Sequence, residues 1–107
     1  MRIPDDYHAV WTGLVHDDQR SEPYACTLEL HGSGGSTRYE QPCGLAIGRL
    51  ELTDTAPVLR EHYTGPRGGP AICRLMVRLN GSNELVCHWQ RDDGAESRAT
   101  LWRLSVV

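Results

Sequence analysis

The sequence predicts an all-β protein: a single antiparallel, up-and-down β-barrel of eight strands. Three observations predict it. Apolar and polar residues alternate with a period of two, and helical periodicity is nearly absent. Glycine-, proline- and asparagine-rich turn signals break the chain into eight short runs. No connection is long enough to hold a crossover helix, so sequential strands must pair antiparallel. Closure then removes the sheet edges that a chain without helices cannot cover.

The first run, 8–15, carries Trp11 and ends before the polar stretch His16 to Glu22. The second, 23–31, places Tyr24, Cys26, Leu28 and Leu30 on one face against Ala25, Thr27 and Glu29. "GSGG" at 32–35 turns the chain into the third run, 36–41, which holds Tyr39. "QPCG" at 41–44 leads to the fourth, 47–53, and "TDTAP" at 53–57 to the fifth, 57–64. Here Leu59, Glu61 and Tyr63 share one face, and Arg60 and His62 the other. "GPRGGP" at 65–70 precedes the sixth run, 71–79, in which Cys73, Leu75, Val77 and Leu79 oppose Arg74, Met76 and Arg78. "NGSN" at 80–83 is a strong hairpin turn, because Asn and Gly accept positive φ at low cost. The seventh run, 84–90, sets Leu85, Cys87 and Trp89 against Val86, His88 and Gln90. "DDGAE" at 92–96 leads into the last, 97–105. One apolar and one wet face per strand fits a barrel. With no linker or repeat, residues 1–107 make one domain.

Composition narrows the function classes. The net charge is −3, and the basic residues, all Arg, are scattered along the chain without a cluster. That argues against a nucleic-acid partner. No segment approaches the length of an apolar membrane span. "MRIPDDYHAVW" has no apolar run after Arg2, so no signal peptide is expected. The chain as written reads as cytoplasmic; as an excised piece of an exported protein it would be extracellular. "GSGGS" is followed by no helix and reads as a turn rather than a phosphate cradle. Cys26, Cys43, Cys73 and Cys87 contain no C-x₂-C pair, and the acids near His16, Asp17, Asp18, Asp92 and Asp93 match no calcium loop. Neither a metal nor a cofactor is expected.

An up-and-down barrel puts alternate connections at opposite ends. Connections 1–2, 3–4, 5–6 and 7–8 share one rim, which carries the longer loops and is the expected mouth. Cys43 lies in connection 3–4 and Cys73 just after connection 5–6. A Cys43–Cys73 disulfide would staple that rim if the Cα atoms lie within about 7 Å. A free thiol, or a ligand or nucleophile, are the other readings of Cys43. Cys26 and Cys87 face inward on non-neighbouring strands and read as small buried hydrophobes. If Leu59 faces inward, so does Glu61, a carboxyl that must pair with a cation or keep its proton. Arg103 is one possible partner. Tyr24, Tyr39, Glu61, Tyr63 and Trp89 are the candidate ligand-binding residues, and Glu61 and Tyr63 the candidate catalytic ones. A capped core or an internal ion pair are the structural alternatives.

"VWTG" at 10–13 with "LWRL" at 101–104 looks like the calycin (lipocalin-like) arrangement, in which an Arg of the last strand covers a Trp of the first. The resemblance implies that Trp11 and Arg103 close the barrel floor. The order Trp11-x-Gly13, Tyr39-x-x-Pro-Cys43-Gly44, Glu61-x-x-Thr-Gly65, Cys73 and Ala99-Thr-Leu-Trp-Arg103 resembles a small domain C-terminal to some actinobacterial serine/threonine kinases. That resemblance implies an extracellular sensing module.

Three functions follow as expectations. The first is a module that binds an apolar or amphipathic small molecule in the barrel lumen. The second is a cofactor-free cyclase of natural-product biosynthesis, as some small calycin-like barrels are, working by holding a flexible substrate in a reactive shape. The third is a protein-interaction or homodimerisation domain using outward Met76, Val86 and Trp102.

Overall fold

A computed structural model of the chain describes residues 2–53, 57–65 and 70–106. A single 3₁₀ turn, Asp5–Tyr7, precedes eight strands: β1 Ala9–Asp17, β2 Tyr24–His31, β3 Gly34–Gln41, β4 Gly44–Leu52, β5 Val58–Thr64, β6 Pro70–Asn80, β7 Glu84–Arg91 and β8 Glu96–Val106. Each strand pairs antiparallel with the next, and β8 pairs with β1, closing an up-and-down barrel. No helix among the described residues is long and apolar enough to cross a membrane.

The period-two pattern sets which side chains enter the lumen. Tyr24, Cys26, Leu28 and Leu30 are buried on β2, Cys73, Leu75 and Val77 on β6, and Leu85, Cys87 and Trp89 on β7. Leu59 and Glu61 do the same on β5, while His62 and His88 face outward onto Glu51 and Glu96. Outward Trp102 is 55% exposed, but Met76 and Val86 are half-buried and Glu84 lies directly opposite Trp102.

The turns are tighter than the sequence suggests. Within "GSGG" only Gly32 and Ser33 lie outside strands; Gly32 takes φ +59° and β3 begins at Gly34. Within "QPCG" the loop shrinks to Pro42 and Cys43, and β4 begins at Gly44, three residues before the expected 47. Gly81 and Gly94 take positive φ in their hairpin turns, as glycine does cheaply. Residues 54–56 of "TDTAP" and 66–69 of "GPRGGP" fall outside the described residues.

One end of the barrel is shut by the N-terminal segment. Ile3 is fully buried, and its N–H donates to Gly32 O at 2.8 Å in the β2–β3 turn. Trp11 Nε1 donates to Tyr7 O at 3.0 Å. The Arg103 guanidinium stacks on the Trp11 ring, 4.6 Å from its centroid, and donates to Ser82 O and Asp6 O, each at 2.9 Å. A register shift between Val10 and Trp11 in the β1–β8 ladder brings Trp11 opposite Arg103. The floor contact implied by the resemblance is therefore present. Arg103 does not pair with Glu61, as the sequence had allowed, because stacking on Trp11 commits it to the closed end.

Leucines fill the half of the lumen above this floor: Leu28, Leu30, Leu59, Leu75, Leu85 and Leu101 are all fully buried. The other half is not filled. It opens at the rim shared by the β1–β2, β3–β4 and β7–β8 connections, and the site lies there.

Candidate functional site

The open half holds a cavity of about 340 Å³. Every strand except β4 contributes to its lining. The reason lies in the inner face of β4, where Ala46 and Gly48 stand in place of large side chains. Gly48 pairs with Thr37 on one side and Tyr63 on the other. With no side chain between them, β3 and β5 touch over the top of β4. Thr37 Oγ1 donates to Glu61 Oε2 at 2.5 Å, and Tyr39 Oη donates to the same oxygen.

All five candidate ligand-binding residues meet here. Tyr24, Tyr39, Glu61, Tyr63 and Trp89 line the cavity together. Tyr39 is central: its ring lies 6.1 Å from Tyr24, 5.7 Å from Tyr63 and 6.2 Å from Trp89, each pair steeply inclined, at 62–77°. The rings therefore stand as walls at angles to one another rather than as a stack. Tyr39 itself spends its hydroxyl on Glu61, whereas the Tyr63 hydroxyl, nearer the rim, accepts from Gln41 Nε2 at 3.1 Å.

Glu61 is 1% exposed. Burial raises its pKa above the ordinary value, opposed by the Thr37 and Tyr39 hydroxyls, then by Cys73 and Trp89. Burial likewise pushes the Tyr39 phenol up, helped by the adjacent Glu61 charge, and the Tyr24 phenol up to about 12. The Trp89 indole N–H approaches the same carboxyl but makes no hydrogen bond of acceptable geometry. Nε1 of this residue is buried without a partner among the described residues. Such a donor is uncommon in a folded interior.

No family of proteins, curated protein or solved structure matches the chain.

The expected Cys43–Cys73 disulfide is not formed, and all four cysteines are free thiols. The short β3–β4 turn explains it. Cys43 is exposed at the tip of a two-residue loop, its Sγ 4.0 Å from Gln41 Oε1. Cys73 lies inside β6, opposite Glu61 and Arg91, and faces the lumen. The two share a rim but not a level. Burial pushes the Cys73 thiol up to about 12, with the Glu61 charge adding to the effect, and burial raises Cys26 and Cys87 as well. A buried thiol held protonated is a poor nucleophile.

Charged residues sit at the cavity rim. Arg20 stacks on Tyr24 at 5.7 Å, Arg91 pairs with Asp93 at 2.5 Å, and Asp17 Oδ1 accepts the Gln19 N–H at 2.8 Å. The acids near His16 and Asp92 form no cluster able to hold a metal among the described residues. Thr37 and Gly48 were missing from the sequence-derived site. Period-two counting back from Tyr39 and Leu50 does reach both, but neither residue type signals a site by itself.

Proposed function

We propose that this barrel binds a small amphipathic molecule in its mouth cavity, with the apolar part among the aromatic rings and the polar part toward Glu61. The observation that carries this is the pairing of an open, aromatic-walled cavity with a buried carboxyl and an unpartnered Trp89 N–H at its inner end. Small-molecule sites are typically concave, mostly apolar and equipped with a few convergent polar groups. The leucine-filled lower half gives such a molecule a fixed floor. The resemblance to kinase-linked sensing domains is compatible with this reading, since a sensor needs a ligand pocket.

Native mass spectrometry of protein incubated with a lipid and metabolite extract tests it. A retained small molecule is expected. It should be lost in Ser97→Trp, which places an indole across the mouth opposite Trp89. Absence of any retained mass in the native protein would overturn the proposal.

A cofactor-free cyclase is the second reading, favoured by a carboxyl that burial inclines to keep its proton at the inner end of an aromatic cavity. Such a group can serve as a general acid toward a substrate held in a folded shape. Turnover of a polyene or polyketide substrate that disappears in Glu61→Gln would support it; unchanged turnover in that variant would remove Glu61 from the chemistry.

A further inference from the structure

The polar end of the cavity is chemically one-sided. Thr37 and Tyr39 both donate to Glu61 Oε2, while Oε1 accepts no hydrogen bond among the described residues. Trp89 Nε1 can only donate, and it lies buried near the same carboxyl with no acceptor of its own among the described residues. Donors thus converge on Glu61 as they would on an ionised carboxylate. What the site lacks is the opposite charge. Among the described residues, no Arg or His forms a salt bridge with Glu61: Arg20 stacks on Tyr24, Arg91 holds Asp93 and Arg103 caps Trp11. Burial works against the charge that the donors favour. A buried carboxylate is stable when a cation is brought to it.

The walls supply the rest of a cation site. Tyr24, Tyr39, Tyr63 and Trp89 line the cavity with Glu61, the other three rings each steeply inclined to Tyr39. Tyr24, Tyr63 and Trp89 stand edge-to-face against Tyr39 rather than around an open centre, and aromatic walls with an anion at the inner end are features that recognise an organic ammonium ion. We propose that the ligand of this cavity is an amine bound as its ammonium ion, whose N–H groups donate to Glu61 Oε1 and whose apolar carbons lie among the four rings. The arrangement suits a primary or secondary ammonium over a quaternary one, because Oε1 offers an acceptor that only an N–H can use. Entry of the cation leaves Glu61 ionised, and any proton it held passes to solvent. The ionised carboxylate then becomes the acceptor that the Trp89 N–H is without.

This inference rests on the cavity being a ligand site, and the experiment separates the two. Hexylammonium, hexanol and hexanoate share one tail and differ in head group. Their binding is measured by isothermal titration calorimetry near pH 7.5, on native protein and on Glu61→Gln. Hexylammonium is expected to bind roughly tenfold or more tighter than hexanol, with hexanoate weakest. Glu61→Gln should erase that preference. If hexanol or hexanoate binds native protein as tightly as hexylammonium, the ammonium assignment falls while the cavity reading stands. If the preference for hexylammonium survives Glu61→Gln, the charge is read elsewhere and the assignment also falls. Failure of all three to bind overturns the cavity reading with it. The native-protein comparison needs no variant, so a Glu61→Gln protein that misfolds leaves the head-group test intact.

Discussion

Thr37 and Glu61 lie on β3 and β5, strands separated by β4, yet their side chains hydrogen-bond at 2.5 Å. Gly48 makes this possible. A Cβ at that position would stand 2.7 Å from Glu61 Oε2, 3.0 Å from Glu61 Cγ and closer still to Thr37 Oγ1. Thr37 is short and cannot retreat, and the Glu61 carboxyl is held by Tyr39. Gly48→Ala should therefore cost about 1–3 kcal/mol, the usual range for overpacking an interior, and break the Thr37–Glu61 contact. Urea denaturation reads the loss. A variant as stable as the native protein would mean that the β3–β5 bridge is not tightly packed.

Glu61 also predicts a pH dependence. Its neighbours inside the barrel are the Thr37 and Tyr39 hydroxyls, the Cys73 thiol and the Trp89 N–H, with the Cys26 thiol near enough to feel its charge. None brings a positive charge. Burial raises its pKa above the ordinary 4.5, so the folded state holds this proton more tightly than the unfolded state. The resulting stability is complete below pH 4.5 and is lost as pH rises through the raised folded value. Glu61→Gln cannot titrate. As pH rises from 4.5 through the raised folded value, the native protein should thus lose stability relative to the variant, by up to about 1.4 kcal/mol per pH unit while the group titrates. Paired denaturant melts across that range measure the difference, and a constant difference would show that Glu61 ionises at an ordinary pH.

Much of this was legible in the sequence. The alternation of Tyr24 through Leu30 and of Leu85 through Trp89 fixed the inward faces, and turn spacing fixed the order of the hairpins. Glu61 stood out as a carboxyl on an apolar face. Its environment was harder to read, because it depends on an absence: Gly48 has no side chain to pattern, so nothing local reveals that β3 can reach β5. Arg103 remains a possible partner for Glu61 at the level of sequence because periodicity gives the face but not the depth. The Cys43–Cys73 bridge failed for a related reason. Connection topology names the rim two residues share, while the length of one turn decides whether they meet.

The closed end should be energetically separate from the mouth. Arg103 stacks on Trp11 and donates to Ser82 O and Asp6 O, tying β8 to the β6–β7 turn and the N-terminal segment. Arg103→Ala removes the stacking and both hydrogen bonds, for an expected cost of about 1–3 kcal/mol. Arg103→Lys keeps the charge but not the planar fork and should fall in between. Thermal melts rank the three proteins. Ligand binding by folded Arg103→Ala should be unchanged, because the cavity lies across a layer of buried leucines. A change in affinity would mean that the floor and the mouth are mechanically coupled.

The cysteines give the most direct check on strand register. Cys43 is exposed at the β3–β4 turn, while Cys26, Cys73 and Cys87 are buried and held as thiols by their surroundings. Thiolate is the reacting form, so both access and protonation protect the buried three. Iodoacetamide applied to folded, non-reduced protein should add one label, at Cys43. After unfolding, all four cysteines should react. Intact-mass measurement before and after unfolding, with peptide mapping, separates the outcomes. Rapid labelling of Cys73 in the folded protein would mean that its thiol is exposed to solvent rather than buried, and a mass two hydrogens short with two thiols missing would restore the bridge. Either result would require the β3–β4 turn or the start of β6 to lie at a different level, and with it the lining of the cavity around Glu61.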